Sequence, residues 1–281
     1  LLPLFLVLFL FNLKINVLDL FYFGAVISSV FGLVIAFRKV DFNLNKEFIS
    51  DSIKTGLPIL PHMLGMIALV NIDKVLFGSL KDEVSAGFLQ VVMLIGLSPI
   101  FILSSLNHAW LNQILLQLKN FNQKSKDQIN STIKNLLFLC TFFIFIIYIF
   151  SGLLVKILNP NILFNSQIKD TIVLSSLSSI LYVIYLANTH ILTWSKKFWI
   201  LGISTPISIL FQGMTIFLLI DRFYYLSAAI AFGVAITIQI LIIEIFNYKF
   251  KINNIIKLKY KLSSLLIFWV ICAFFFSNSI S

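Results

Sequence analysis

Residues 135–155 read NLLFLCTFFIFIIYIFSGLLV and carry no charge between Lys134 and Lys156. As a helix rising 1.5 Å per residue, this run is about 30 Å long, the thickness of a bilayer's hydrocarbon core. A barrel strand would be about half as long and would alternate apolar with polar side chains. In lipid no water bonds an exposed backbone, so the run must satisfy its own amides, and a helix does so. It reads as a transmembrane helix.

Outward from it the pattern repeats. Charges bound further runs at 20–37, 55–72, 84–118, 171–195, 198–220 and 223–243, with a last from 262 to the C-terminus and a partial one at 1–13. The expectation is an all-α, polytopic integral membrane helix bundle with eight full spans plus a partial one. The run 84–118 exceeds one span, and its end is expected to leave the membrane along its surface.

Composition agrees. Of 281 residues, 59% are hydrophobic, 11% are charged and 30 are Phe, and mean hydropathy is +1.01. A soluble domain carries about 25% charged residues, and one globule cannot hide this much apolar surface. A water-soluble enzyme, a disordered chain and a disulfide scaffold are excluded. Cys140 and Cys272 both sit in apolar runs, which argues against a disulfide or metal site. The net charge of +10 matters by position, and no nucleic-acid partner is expected. The chain opens at Leu1 inside an apolar run with no basic signal segment, so it reads as a piece lacking its N-terminal part.

Orientation follows the Lys/Arg bias. One alternate set of loops holds fifteen of the 21 basic residues, among them Arg38, Lys119, Lys134, Lys197 and Lys261. The other set holds six, including Lys74, Lys81 and Arg222. The first set is cytoplasmic. Its stretches 38–54, 119–134 and 247–261 are the longest polar loops, and the outer loops are short.

Several polar residues fall inside the runs. Pro58 and Pro61 near a helix start either bend its axis or occupy first turns. Asp73 and Lys74 fall near the outer boundary, as an interfacial ion pair with Lys74 snorkelling or as a charge pair lining a cavity that opens outward. Trp110 stands where an aromatic-belt residue belongs. His62, His108 and His190 fall in the cytoplasmic half with Asn107 and Asn188, and Tyr185, Asn188 and Leu192 share a face. Some of these residues are expected to face one polar cavity; the alternative is hydrogen bonding between helices. Glu244, at an inner helix end, reads as solvated or Lys-paired. Small residues from Gly202 to Gly213 and from Ser227 to Ala235 suit close helix packing. No phosphate loop, HExxH, GxSxG or carboxylate pair on one helix is present, so no catalytic residue and no cofactor is expected.

GLPILPH from Gly56, NIDK at Asn71–Lys74, SSLNHAWLNQ at Ser104–Gln113, TWSKKFWILGIS at Thr193–Ser204 and LSAAIAFGVAITI at Leu226–Ile238 stand in order along the chain. Together they resemble Wzx-type O-antigen and polysaccharide flippases, of the multidrug/oligosaccharidyl-lipid/polysaccharide exporter superfamily. The resemblance implies a MATE-like fold of two six-helix lobes around a cavity. Residues 1–37 would be the last two helices of a truncated first lobe, and 38–54 the cytoplasmic linker. Residues 55–247 would be the second lobe, and 248–281 a basic loop with an extra helix. It also implies alternating-access flipping of undecaprenyl-pyrophosphate-linked oligosaccharide at the bacterial cytoplasmic (inner) membrane. Coupling to H+ or Na+, contact with membrane lipids and partnership with other polysaccharide assembly proteins come with it. The substrate-cavity candidates are His62, Asn71, Asp73, Lys74, Asn107, His108, Tyr185, Asn188 and His190. Lys74 stands where the family often has Arg, and lysine does not clamp a pyrophosphate bidentately. Two other classes stay open, a MATE-like multidrug or cation antiporter and a membrane-embedded glycan polymerase or ligase; short outer loops argue against the enzyme.

Overall fold

A computed structural model describes residues 26–35, 37, 46–119, 121–250, 255–256 and 258–278. Among them the chain is all-helical and contains no strand. It divides into two compact units, residues 1–52 and 53–281. In the first, α1 covers Val26–Ile35, and α2, Lys46–Gly56, begins there and runs into the second. The partial run 1–13, and residues 20–25 and 36 of the run 20–37, lie outside the described residues.

The second unit holds α3 (Leu60–Leu80), α4 (Glu83–Gly96), α5 (Ser98–Lys119), α6 (Gln123–Leu158) and α7 (Ser166–Trp194). It continues with α8 (Trp199–Phe223), α9 (Tyr225–Lys249) and α10 (Leu258–Asn278). Five described helices are long and apolar enough to cross a membrane, or six if the bent pair α4–α5 is one span. Helix α7 is the hub, packing against α4, α5, α6, α9 and α10. By contrast, α6 leaves Phe138 76% and Phe145 61% exposed. Such a surface suits acyl chains and not water.

The run 84–118 is not one continuous helix: it bends by 53° between α4 and α5. Pro99 has no N–H for the carbonyl of Ile95. The Ser98 hydroxyl donates to that carbonyl instead, at 2.8 Å. Pro58 and Pro61 sit in first turns, Pro58 in the 3-10 turn Leu57–Ile59 and Pro61 at the start of α3.

The stretch 119–134, expected as a loop, is mostly helix. Asn122 caps α6 by accepting from the Ser125 amide at 2.8 Å, and α6 is 36 residues long, about 54 Å. Charges end a lipid span, but hydrogen bonds end a helix, so the first turns of α6 continue past the span. The stretch 38–54 likewise contains the start of α2.

The basic turn after α7 is a C-cap. Lys196 adopts φ 57°, its N–H donates to Thr193 O, and the Lys197 N–H donates to Leu192 O. These two bonds define a Schellman motif, with lysine where glycine is usual. Tyr224 alone joins α8 to α9 at φ 44°, a strained conformation for an aromatic residue. Its ring packs on Phe77, and its hydroxyl lies 2.6 Å from Ser85 Oγ. Helix α10 packs on α7, and Phe268 lies against Gly233. Lys261 pairs with Glu244 at 2.7 Å, one of the two forms expected for Glu244.

Candidate functional site

Buried polar side chains gather in two seams. The first joins α3, α8 and α9. Gly202 lets α8 approach the Pro58 carbonyl, where any Cβ would collide with the oxygen. One turn further along, His62 Nδ1 lies 2.7 Å from Thr205 Oγ1. The Gln239 amide donates to the same hydroxyl at 3.3 Å, so three helices meet at Thr205. Gln212 then donates to Leu69 O at 3.0 Å, which leaves its own Oε1 buried and unpartnered.

Asp73 stands one turn beyond Leu69 and is 1% exposed. Its Oδ1 accepts from Lys74 Nζ at 2.9 Å and from the Lys74 amide at 3.0 Å. Its Oδ2 has no partner. The pair lies about two turns before the end of its helix. Helix α3 continues through Leu80, about 10 Å further. The Lys74 ammonium turns back along the helix to Val70 O. That bond and the carboxylate hold the ammonium inside the turn.

The second seam joins α5 and α7. Tyr182 of α7 and Ser104 of α5 line one cavity together, and Trp110 meets His190 edge-on at 4.8 Å between centroids. Trp110 is therefore 6% exposed, a packed residue and not a belt anchor. Asn107 Oδ1 and His190 Nε2 are buried without partners. His108 is exposed on α5. Tyr185 is buried, with its hydroxyl 3.8 Å from Met66 Sδ. Asn188 is 0% exposed, and neither atom of its amide has a partner.

A cavity of about 510 Å³ opens between α3, α5 and α7, lined mainly by apolar side chains. Of the nine candidates only Asn71 lines it, with its amide donating to Ile67 O at 2.8 Å. His62, Asn107 and Asn188 do not share this hollow; His62 and Asn107 belong to separate seams. Two residues apart on a helix are about 200° apart around its axis, so Asn188 and His190 also face opposite ways.

Sequence reading missed Thr205, Gln212 and Gln239. The signal was present: lone amides in otherwise apolar spans are rare enough to mark a polar contact. Chemically, the seams offer neutral donors and several unused acceptor oxygens, suited to hydroxyl-bearing ligands. Among the described residues no group of three His, Cys, Asp or Glu is placed to hold a metal ion. Cys140 and Cys272 are separate buried thiols. Comparison with family models, with curated proteins and with solved structures gives no match.

Proposed function

We propose that the chain moves an undecaprenyl-pyrophosphate-linked oligosaccharide across the bacterial cytoplasmic membrane for O-antigen or capsular polysaccharide export. Helices α3 to α9 form the second lobe of a two-lobe, MATE-like exporter that works by alternating access. Its partners are the lipid-linked cargo, surrounding lipids, a coupling ion (H+ or Na+) and other polysaccharide assembly proteins. It acts as a transporter and not as an enzyme. The observation that supports this reading is the set of unused buried acceptors, Asp73 Oδ2, Gln212 Oε1, Asn107 Oδ1 and the Asn188 amide oxygen. An unpaired polar atom in an apolar interior costs about 1–3 kcal/mol, so its retention in a bundle of apolar helices calls for a partner. Sugar hydroxyls lose water at several kcal/mol each when they enter hydrocarbon, and acceptors of this kind offset that loss.

The apolar cavity favours a second reading, a MATE-like exporter of amphipathic drugs or cations. Deleting the gene separates the two. Loss of surface glycan, with lipid-linked oligosaccharide accumulating on the inner leaflet, supports the flippase. Normal glycan with heightened drug sensitivity supports the antiporter.

A further inference from the structure

The buried stripe of α3 is His62, Gly65, Leu69, Asp73 and Phe77. Its members at 62, 65 and 69 meet α8 at Thr205 and Gln212. Phe77 stacks on Tyr225 of α9 at 5.9 Å between centroids. Asp73 faces the same seam, between the Gln212 contact and the Tyr225 contact.

The Leu69 carbonyl fixes which way Gln212 points. A carbonyl only accepts, so Gln212 turns its NH2 toward it and keeps Oε1 free. In the helical ladder the same carbonyl receives the Asp73 N–H. The Gln212 amide thus meets α3 at the turn that carries Asp73. Two acceptors, Asp73 Oδ2 and Gln212 Oε1, stand there without a donor, on residues 1% and 0% exposed. One hydrogen satisfies both, because a carboxylic acid donates where a carboxylate only accepts. A hard metal cation takes about six or more oxygens, and two oxygens beside the Lys74 ammonium suit a proton better. Other charges stand away from Asp73. Helix α8 carries charge at Asp221 and Arg222, α9 at Glu244 and Lys249, and α4 at Glu83, beyond its Asp82 cap. On α3 itself His62 is spent on Thr205.

We infer that Asp73 is a proton-binding carboxyl whose protonation moves its contact from Lys74 on α3 to Gln212 Oε1 on α8. The ionised carboxylate is held by its own helix, through the Lys74 ammonium and amide; the acid gains a bond across the seam. The O–H bond forms at Oδ2, no other covalent bond breaks in the protein, and the proton comes from water and returns to it. The inference rests on the flippase reading for its use, as the coupling proton, and leaves the Asn107 and Asn188 acceptors to the cargo. The test records infrared difference spectra of the full chain in lipid nanodiscs as pH is lowered, in H2O and D2O. The unaltered chain is expected to show a protonated-acid carbonyl band, sensitive to D2O, that Asp73→Asn removes. Gln212→Leu should move that band to higher frequency, as happens when an acid O–H loses its acceptor. If Asp73→Asn fails to fold, the Gln212→Leu shift still assigns the band. The inference is overturned if Asp73→Asn loses no acid band at any pH at which the chain stays folded, or if Gln212→Leu leaves the band in place. An unfolding temperature raised by NaCl over equal KCl in the unaltered chain, but not in Asp73→Asn, assigns the seam to sodium and also overturns it. These readouts need no cargo: the acid band without leaflet transfer in cells counts against flipping alone, and transfer without the band counts against the proton switch alone.

Discussion

His62 Nδ1 and Thr205 Oγ1 stand 2.7 Å apart across 143 residues of sequence. This contact fixes α3 against α8 at the level where Gln239 enters from α9. Gly65, beside it, faces the Thr205 methyl group closely, so the two helices leave no room for a larger side chain. Thr205→Val keeps the shape and removes the hydroxyl. Polar contacts between membrane helices average about 0.6 kcal/mol, so the His62→Ala/Thr205→Val cycle should show a coupling of about that size in detergent unfolding. Strictly additive variants would show that the contact adds nothing.

Asn188 presents the opposite case. It is fully buried with both amide atoms unpartnered. Replacing an unsatisfied polar group with an apolar one of similar size removes a cost of about 1–3 kcal/mol. Asn188→Leu should therefore raise the unfolding temperature while lowering glycan export, the stability–function exchange found at working sites. A more stable variant with undiminished export would remove Asn188 from the cargo path.

Gly96 ends α4 against α7. A Cβ there would overlap Ser175 Oγ and lie 2.9 Å from Ile172 O. Gly96→Ala should destabilise by about 1–3 kcal/mol, the range for overpacking. Ser175→Ala should recover only part of this, because the backbone oxygen remains. Full recovery in the double variant would show that the α7 backbone gives way.

Asp82 caps α4, accepting from the Ser85 amide at 2.7 Å and from its hydroxyl at 2.8 Å. These bonds hold the Asp82 carboxyl below its ordinary value. A depressed carboxylate stabilises the fold above its unfolded pKa, about 3.9, and that contribution fades as pH falls through the lower folded value. Stability from this cap should be flat between about pH 5 and 8 and decline below about pH 4. Asp82→Asn, which still caps, should lose this acid dependence. A cap-dependent change near pH 7 would contradict the assignment.

Much of the fold was legible because lipid imposes one rule, an uninterrupted apolar run bounded by charge. That rule placed the cores of α3, α6, α7, α8 and α9. It misplaced their ends, since Asn122 and Asn165 start helices by capping, well outside the apolar runs. It also read through the α4–α5 bend, where Pro99 and Ser98 exchange one hydrogen bond for another without any charge to mark the break. Among site residues, the burial of His62 and Asn188 was foreseeable from their place in apolar spans. Their partners were not, because helix rotation decides which face meets which neighbour. Trp110 shows the limit: its position suited the membrane interface, but its facing of His190 placed it inside.

The most direct test is the leaflet position of the cargo. Spheroplasts from cells with and without this protein would be probed with a membrane-impermeant lectin that reads lipid-linked oligosaccharide on the outer leaflet. The account predicts strong lectin binding with the protein present, and loss of binding with total cargo retained when it is absent. Equal lectin binding in both would contradict it.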